Sequence, residues 1–167
     1  MHNVSNLFSA ATLVGDTLRE VLAHDGGATL TQGIELGCSI LLGGQIHGEV
    51  PGAVQPNFIA STEDTSYFQA GESKYGKPIL DRALSYPTPL QLALRCALIC
   101  FNSTIRSNRS VGMPLNLRVY QADSFEVPSG LRVREGDAYF EEIRQQCCGS
   151  LSTRLGQLAE APGDYWE

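Results

Sequence analysis

The spacing of apolar residues predicts an amphipathic helix at each end of the chain. Between residues 6 and 24, apolar side chains recur three and four positions apart, Ser5 is the predicted N-cap, and Asp25-Gly26-Gly27 ends the helix. A second helix of this kind is predicted from about residue 138 to residue 161, where Pro162-Gly163 ends it. Each of these helices is expected to pack against a core through one face.

A third helix, near the middle of the chain, is apolar nearly all round. Thr88-Pro89-Leu90-Gln91 has the pattern of a capping box with proline at the first helical position. The apolar residues that follow are Leu90, Leu92, Ala93, Leu94, Cys96, Ala97, Leu98, Ile99, Cys100, Phe101 and Ile105. A helix of this composition must be covered on more than one side, so we expect it to be the core helix.

Short strands and one short helix are predicted between these elements. Residues 38–46 form the first strand, and Gly48 and Pro51-Gly52 mark the turn out of it. Residues 58–60 and 66–70 form two more strands. A short helix begins at Pro78, and beyond the core helix residues 115–120 and 125–133 supply further strands. The order α, β, β, β, α, α, β, β, α predicts an α+β fold with helical layers on sheet.

One segment resembles a phosphate-binding loop without meeting its requirements. Gly71-x-x-x-x-Gly76-Lys77 matches most of the P-loop pattern, but Pro78 stands where that motif needs a Ser or Thr for magnesium. Proline also removes a backbone N–H at the start of the following helix, where a phosphate would need donors. The sequence therefore favours a tight turn that leads into a helix begun by proline.

Length, composition and charge bound the class of protein. The 167 residues, 43% hydrophobic and 18% charged, predict a single soluble domain covering residues 1–167. The formal net charge of −6 argues against nucleic acid and acidic membrane surfaces as partners. No stretch is apolar enough to span a bilayer, and the first residues lack the pattern of a secretory signal, so we expect a cytoplasmic protein.

The cysteines give no sign of a metal or a disulfide framework. Their number, five, is odd, and neither they nor the three histidines have metal-ligand spacing. We expect reduced, buried thiols and no cofactor.

Three segments of the chain carry a family resemblance. They are Phe58-Ile-Ala-Ser-Thr-Glu-Asp-Thr, Gly71-Glu-Ser-Lys-Tyr-Gly-Lys-Pro-Ile-Leu-Asp-Arg82 and Ser103-Thr-Ile-Arg-Ser-Asn-Arg-Ser-Val-Gly-Met-Pro114. They resemble the signature segments of the bacterial proteasome-type proteases of the ancestral β-subunit (Anbu) family, and the resemblance covers nearly the whole chain.

The resemblance implies a fold and a class of partner. The family fold is the N-terminal-nucleophile αββα sandwich, two antiparallel sheets between two helical layers, and the predicted elements fit its later part. Residues 137–161 would be the C-terminal helical extension of this branch. Copies of the chain would form a large homo-oligomer, and the substrate would be a peptide or an unfolded protein.

The resemblance also identifies a departure at the catalytic residues. In these hydrolases the nucleophile is a Thr or Ser that begins the mature chain, and its own α-amino group acts as the base. The family carries this residue, with a Lys and an Asp, in strands that precede the first predicted helix. The chain begins Met1-His2, so nucleophile, Lys and Asp have no counterparts in it, and we expect it to be inactive as given. Without those strands, one face of the core helix should lie open.

Two residues match supporting positions of the family's site. Catalytic relatives carry a carboxylate at the end of the core helix and a Ser three residues later, both bonded around the terminal amine. Ser107 occupies the carboxylate position, where it supplies no charge, and Ser110 the Ser position; a different register would give Asn102 the carboxylate's role. An alternative of equal weight is that Ser107, Asn108 and Ser110 only cap the helix.

Two functions remain open at this stage. The chain is a proteasome-type peptidase subunit that lacks its N-terminal catalytic part, or it is a non-catalytic assembly subunit of a proteasome-like oligomer.

Overall fold

The computed structural model describes residues 4–25, 40–49, 51–54 and 62–165. In chain order the elements are α1 (Leu7–Asp25), β1 (Leu42–Gly44), β2 (Gly52–Val54), α2 (Lys77–Ala83), α3 (Leu90–Ser107), β3 (Leu115–Leu117), β4 (Leu131–Val133), α4 (Ala138–Leu155) and a 3-10 turn (Gly163–Tyr165). The two pairs of strands form two small antiparallel sheets, β1-β2 and β3-β4. The α+β class predicted from the sequence is confirmed.

The first helix begins one residue later than predicted, with a different cap. The backbone N–H of Ser9 donates to Oδ1 of Asn6 at 2.8 Å, so Asn6 is the N-cap and the prediction of Ser5 was wrong. Both residues have side chains suited to capping, and sequence spacing alone does not separate neighbours.

The first sheet is a hairpin that turns at one of the two predicted positions. Leu42 is opposite Val54 and Gly44 is opposite Gly52, so the chain reverses near Gly48, which has a φ of +85°. The other predicted turn signal, Pro51-Gly52, instead leads into β2. Gly52 lies against α1, where an added Cβ would stand 3.0 Å from Cδ1 of Leu7.

The other predicted strands are shorter than expected or fall elsewhere. Residues 66–70 form no strand, and the two strands after the core helix shrink to Leu115–Leu117 and Leu131–Val133. Short runs of apolar residues form ladders only where a partner strand lies beside them. The predicted strand at residues 58–60 lies outside the described residues, as do residues 38 and 39 of the first one.

The chain divides into two compact units. The first comprises Met1–Ser73, Leu84–Thr88 and Leu117–Leu131, and the second Lys74–Ala83, Pro89–Asn116 and Arg132–Glu167. The second unit has a hydrophobic core in which Leu98, Val133 and Phe140 are buried together, with Leu94, Met113, Leu115 and Ile143 packed around them.

Helix α3 is covered on two sides and open on others. Leu98 faces the core just described, while Cys96, Cys100 and Thr104, spaced four apart, are buried along a second face. Leu90, Leu92 and Phe101 remain exposed. Leu90 and Leu92 point to opposite sides of the helix, so these residues do not form one open apolar face. The open face expected on the core helix stays a prediction.

The predicted capping box at the start of α3 is not formed. The hydroxyl oxygen of Thr88 accepts from the backbone N–H of Ser85 at 2.9 Å, and no side chain caps the helix at Pro89. The carbonyl of Pro89 accepts the first helical bonds, from Leu92 and Ala93. Thr88 has two local partners within reach, and the turn with Ser85 prevails over the cap.

The last helix begins where predicted and ends early. Asp137 caps it by accepting from the backbone N–H of Phe140 at 2.9 Å. It ends at Leu155, not near residue 161, and Leu151, Leu155 and Leu158 are exposed. Gly156, a poor helix former, is the C-cap residue, and its N–H donates to the carbonyls of Ser152 and Arg154.

None of the helices in the described part of the chain combines the length and the apolar content needed to cross a bilayer.

Two leucines of α3 offer a matched test of the core. Leu98 is 5% exposed and Leu92 is 44% exposed. We expect Leu98→Ala to lower the free energy of unfolding by ~2–5 kcal/mol, because it leaves a cavity beside Val133 and Phe140. Leu92→Ala removes the same atoms from the same helix and should cost less than about 1 kcal/mol. Urea unfolding followed by far-ultraviolet circular dichroism measures both; equal losses would contradict the described core.

Candidate functional site

The loop that resembles a P-loop packs directly on the core helix. Gly71 begins it with a φ of +88°, a conformation that favours glycine. An added Cβ at Gly76 would stand 2.2 Å from Sγ of Cys100, 2.8 Å from Oγ1 of Thr104 and 2.9 Å from the carbonyl oxygen of Cys100. Glycine at position 76 is thus needed for close approach to α3.

The lysine of the same motif is engaged at the surface. Nζ of Lys77 donates to both carboxylate oxygens of Asp81, at 2.6 and 2.8 Å, across one turn of α2. Such exposed pairs stabilise a helix only modestly. The geometry agrees with the interpretation of residues 71–78 as a structural turn that starts a helix.

The thiol beside Gly76 is a packing group. Burial raises the pKa of the Cys100 thiol above its ordinary value, because a thiolate would lose its hydration there. The Thr104 hydroxyl donates to the carbonyl of Cys100 at 3.0 Å, so the one polar side chain of this contact is satisfied within the helix. A neutral, buried thiol is a poor nucleophile, and Cys100 does not offer a catalytic group.

The expectation of buried thiols holds for only part of the chain. Cys96 and Cys100 are buried, whereas Cys147 is half-buried and Cys148 is exposed. All four are free thiols, and Nη1 of Arg106 lies 3.8 Å from Sγ of Cys148. Cys38 lies outside the described residues.

The end of α3 carries the two serines predicted as supporting residues. Ser107 is the last residue of the helix, and Ser110 lies in the turn that follows. Asn108 organises this turn: its N–H donates to the carbonyl of Thr104 at 2.8 Å, and its Oδ1 accepts from the N–H of Ser110 at 2.9 Å. Asn108 therefore caps the helix, as the alternative interpretation expected, with an exposed serine on each side.

Asn102, the alternative residue for the carboxylate position, differs from Ser107 in its environment. Asn102 is buried, with 8% of its surface exposed. The two registers therefore differ in burial: Asn102 lies inside the unit and Ser107 lies at its surface. The role of Ser107 and Ser110 as supporting residues of a site stays a prediction.

Metal ligation was considered for the acidic, histidine and cysteine side chains. Within residues 4–25, 40–49, 51–54 and 62–165, no three of them come together as a group that could hold a metal ion.

Sequence reasoning missed a groove between residues 117 and 131. Its lining residues were assigned to strands, where alternate apolar side chains are expected to be covered. The groove depends on contacts with the first hairpin that join residues 78 positions apart, and no local pattern reports such contacts.

The contact between Gly76 and α3 is open to direct test. We expect Gly76→Ala to lower the free energy of unfolding by ~1–3 kcal/mol, because the new methyl group would overlap the backbone carbonyl of Cys100 as well as its sulfur. Gly112→Ala is the matched control, since nothing lies within 4 Å of a Cβ there, and it should change stability by no more than about 0.5 kcal/mol. A tolerated Gly76→Ala, measured by urea unfolding, would contradict the close packing.

Comparison with known proteins places these observations in a family. No protein-family model matches the chain, and a comparison with curated proteins finds no similar one. Solved structures do match. The Anbu complex from Pseudomonas aeruginosa, described as a helical assembly, is 51% identical in sequence with a TM-score of 0.89. The match covers 98% of this chain and 69% of the Pseudomonas aeruginosa chain.

Two further structures agree. Anbu from Yersinia bercovieri is 47% identical with a TM-score of 0.86, over 96% of this chain and 68% of its own. A Gly-1 mutant of Anbu from Hyphomicrobium sp. strain MC1 is 39% identical in sequence with a TM-score of 0.85. The match covers 95% of this chain and 67% of the Hyphomicrobium chain. At these identities and coverages, the chain belongs to the Anbu (ancestral beta-subunit) family of proteasome-like β-subunits.

Proposed function

We propose that the chain is a subunit of a self-assembling, proteasome-type peptidase. The observation that carries the proposal is the 51% identity to the Pseudomonas aeruginosa Anbu complex over 98% of the chain. At that identity the fold and the surfaces that join subunits are expected to be retained. The reaction would be hydrolysis of peptide bonds, and the substrate class peptides or unfolded proteins.

Self-association is supported by a relative and by the surface of the chain. The Pseudomonas aeruginosa relative forms a helical assembly. On α4 and beyond it, Leu151, Leu155 and Leu158 are spaced four and three apart and are each more than half exposed. Apolar surface of this extent favours association with further protein. We infer that copies of the chain associate, each copy acting as one subunit domain.

We infer further that the catalytic nucleophile, its lysine and its aspartate are not supplied by these 167 residues. One observation supports this. The matched relatives are longer, since the chain spans 69%, 68% and 67% of their length.

In this proposal the chain contributes supporting groups to the site. The hydroxyls of Ser107 and Ser110 would accept and donate hydrogen bonds around a terminal amine, on either side of the cap formed by Asn108. A serine at position 107 can orient the terminal amine, but it does not supply the negative charge of a carboxylate. The base would then depend more on the lysine and aspartate than in relatives that keep the carboxylate.

The competing function is a non-catalytic assembly subunit. The cap at Asn108 favours it, because this cap explains the sequence at the end of α3 without any catalytic role. We assign the cytoplasm as the location under either function. The odd number of cysteines, five, is unlike the even number typical of a secreted disulfide framework.

Peptide hydrolysis separates the alternatives. We expect the purified 167-residue chain to leave fluorogenic peptides uncleaved, and the coding sequence upstream of Met1 to contain, in frame, strands with a Thr or Ser nucleophile and a Lys. The protein expressed with that segment should hydrolyse the same peptides, and Ser107→Ala with Ser110→Ala should reduce the rate.

Other outcomes would revise the proposal. Hydrolysis by the 167-residue chain itself, surviving the double substitution, would show that the nucleophile lies elsewhere within these residues. An upstream sequence without nucleophile and lysine would establish the assembly subunit instead.

A further inference from the structure

An open groove of about 470 Å³ runs along one segment of the first unit. Its apolar lining comes from Leu117, Val119, Val127, Pro128 and Leu131, and its polar lining from Gln121, Ser124, Glu126 and Ser129. The volume falls in the range of ligand-binding clefts, which combine an apolar wall with a few polar groups. Val127, at the rim, is 84% exposed.

One arm of the segment lines the groove at every second residue. Residues 117, 119 and 121 line it on the outgoing arm, whereas residues 126–129 and 131 line it on the returning arm. An extended peptide also places its side chains on one side at every second residue. The outgoing arm thus has the spacing that suits an extended ligand.

The loop between the arms is held in place by one side chain from the first hairpin. Oε1 of Gln45 accepts from the N–H of Asp123 at 2.7 Å and from the hydroxyl of Tyr120 at 3.2 Å. Its Nε2 donates to Oδ1 of Asp123 and to the carbonyl of Glu49, both at 2.8 Å. The amide of Gln45 makes all four of the hydrogen bonds available to it.

Two residues of this loop have unusual backbone conformations for their type. Asp123 has a φ of 63° and Phe125 a φ of 49°, on either side of Ser124, which lines the groove. The ring of Phe125 stacks on His47, with centroids 3.8 Å apart and planes 25° from parallel. Such conformations persist only where the surroundings enforce them, and they concentrate at sites that hold ligands.

The charge of the groove selects the ligand. Glu126 is the charged residue of the lining, and the carboxylate of Asp123 lies in the same loop, bonded to the neutral amide of Gln45. The chain as a whole carries a net charge of −6. Both the local and the overall charge favour a ligand with a positive group.

We propose that this groove binds an extended peptide segment containing Lys or Arg. Alternate apolar side chains of the peptide would lie against Val119, Val127 and Leu131, and its cationic group would lie beside Glu126. This site requires no hydrolysis and does not depend on the proposed peptidase function, because binding is measured directly.

The test uses two defined peptides and five single-residue variants. The probe is a fluorescein-labelled heptapeptide of alternating Val and Thr with a central Arg, and a second peptide has Glu in place of Arg. Fluorescence anisotropy measures binding to the full chain. A benzophenone at one Val position of the probe, followed by mass spectrometry, locates the contact.

We expect the Arg peptide to bind more tightly than the Glu peptide and to crosslink within residues 117–131. Glu126→Gln should weaken binding about two- to fivefold, the strength of a partly exposed ion pair. Val127→Lys should weaken it about tenfold or more, because it removes apolar contact and repels the arginine. The matched controls, Glu63→Gln and Val21→Lys, alter an exposed acid and an exposed valine outside the groove and should leave binding unchanged.

Three results would overturn the proposal. These are crosslinks outside residues 117–131, equal binding of the Arg and Glu peptides, and equal effects of the groove variants and their controls. Circular dichroism of each variant checks that the fold is retained.

Gln45→Ala tests the same groove in a second way. This variant removes the hydrogen bonds that hold the loop and alters no lining residue, so it should weaken peptide binding while the helical circular dichroism signal stays constant.

Discussion

The approach of Gly76 to helix α3 is the constraint on which the second unit depends. Any side chain at this position would meet the sulfur and the carbonyl of Cys100. The absence of a Cβ lets the loop and α2 lie flat on one face of α3, while Leu98 on another face meets Val133 and Phe140. Both packing layers rest on the same helix, so a displacement of either one shifts the framework that presents Ser107, Asn108 and Ser110 at its end.

The proposed chemistry follows from what that framework offers. Buried groups next to Gly76 are neutral, with the pKa of the Cys100 thiol raised by burial, and the end of α3 carries hydroxyls and a capping amide. Such groups can orient an amine but cannot replace a nucleophile with its own base. In the proposed function, a subunit built this way would contribute position and assembly surface.

Sequence patterns predicted the helices well because a helix is encoded by its own periodicity. Strands, caps and the groove were predicted poorly for a shared reason. The strand at 66–70 lacks a ladder, Thr88 bonds to Ser85 instead of capping α3, and Gln45 reaches Asp123 across 78 positions of sequence. In each case the outcome depends on which partner the fold brings near, and the residue itself does not specify that partner. Ser107 and Ser110 were predicted as supporting residues from the family resemblance alone, because nothing in their local sequence distinguishes a supporting residue from a helix cap.

The central claim is that this chain is an assembling subunit, and its mass in solution tests that claim most directly. Sedimentation velocity over a wide range of protein concentration should show species much larger than the 18.1 kDa chain, with their share increasing as concentration rises. A single species of monomer mass at every concentration would contradict the account.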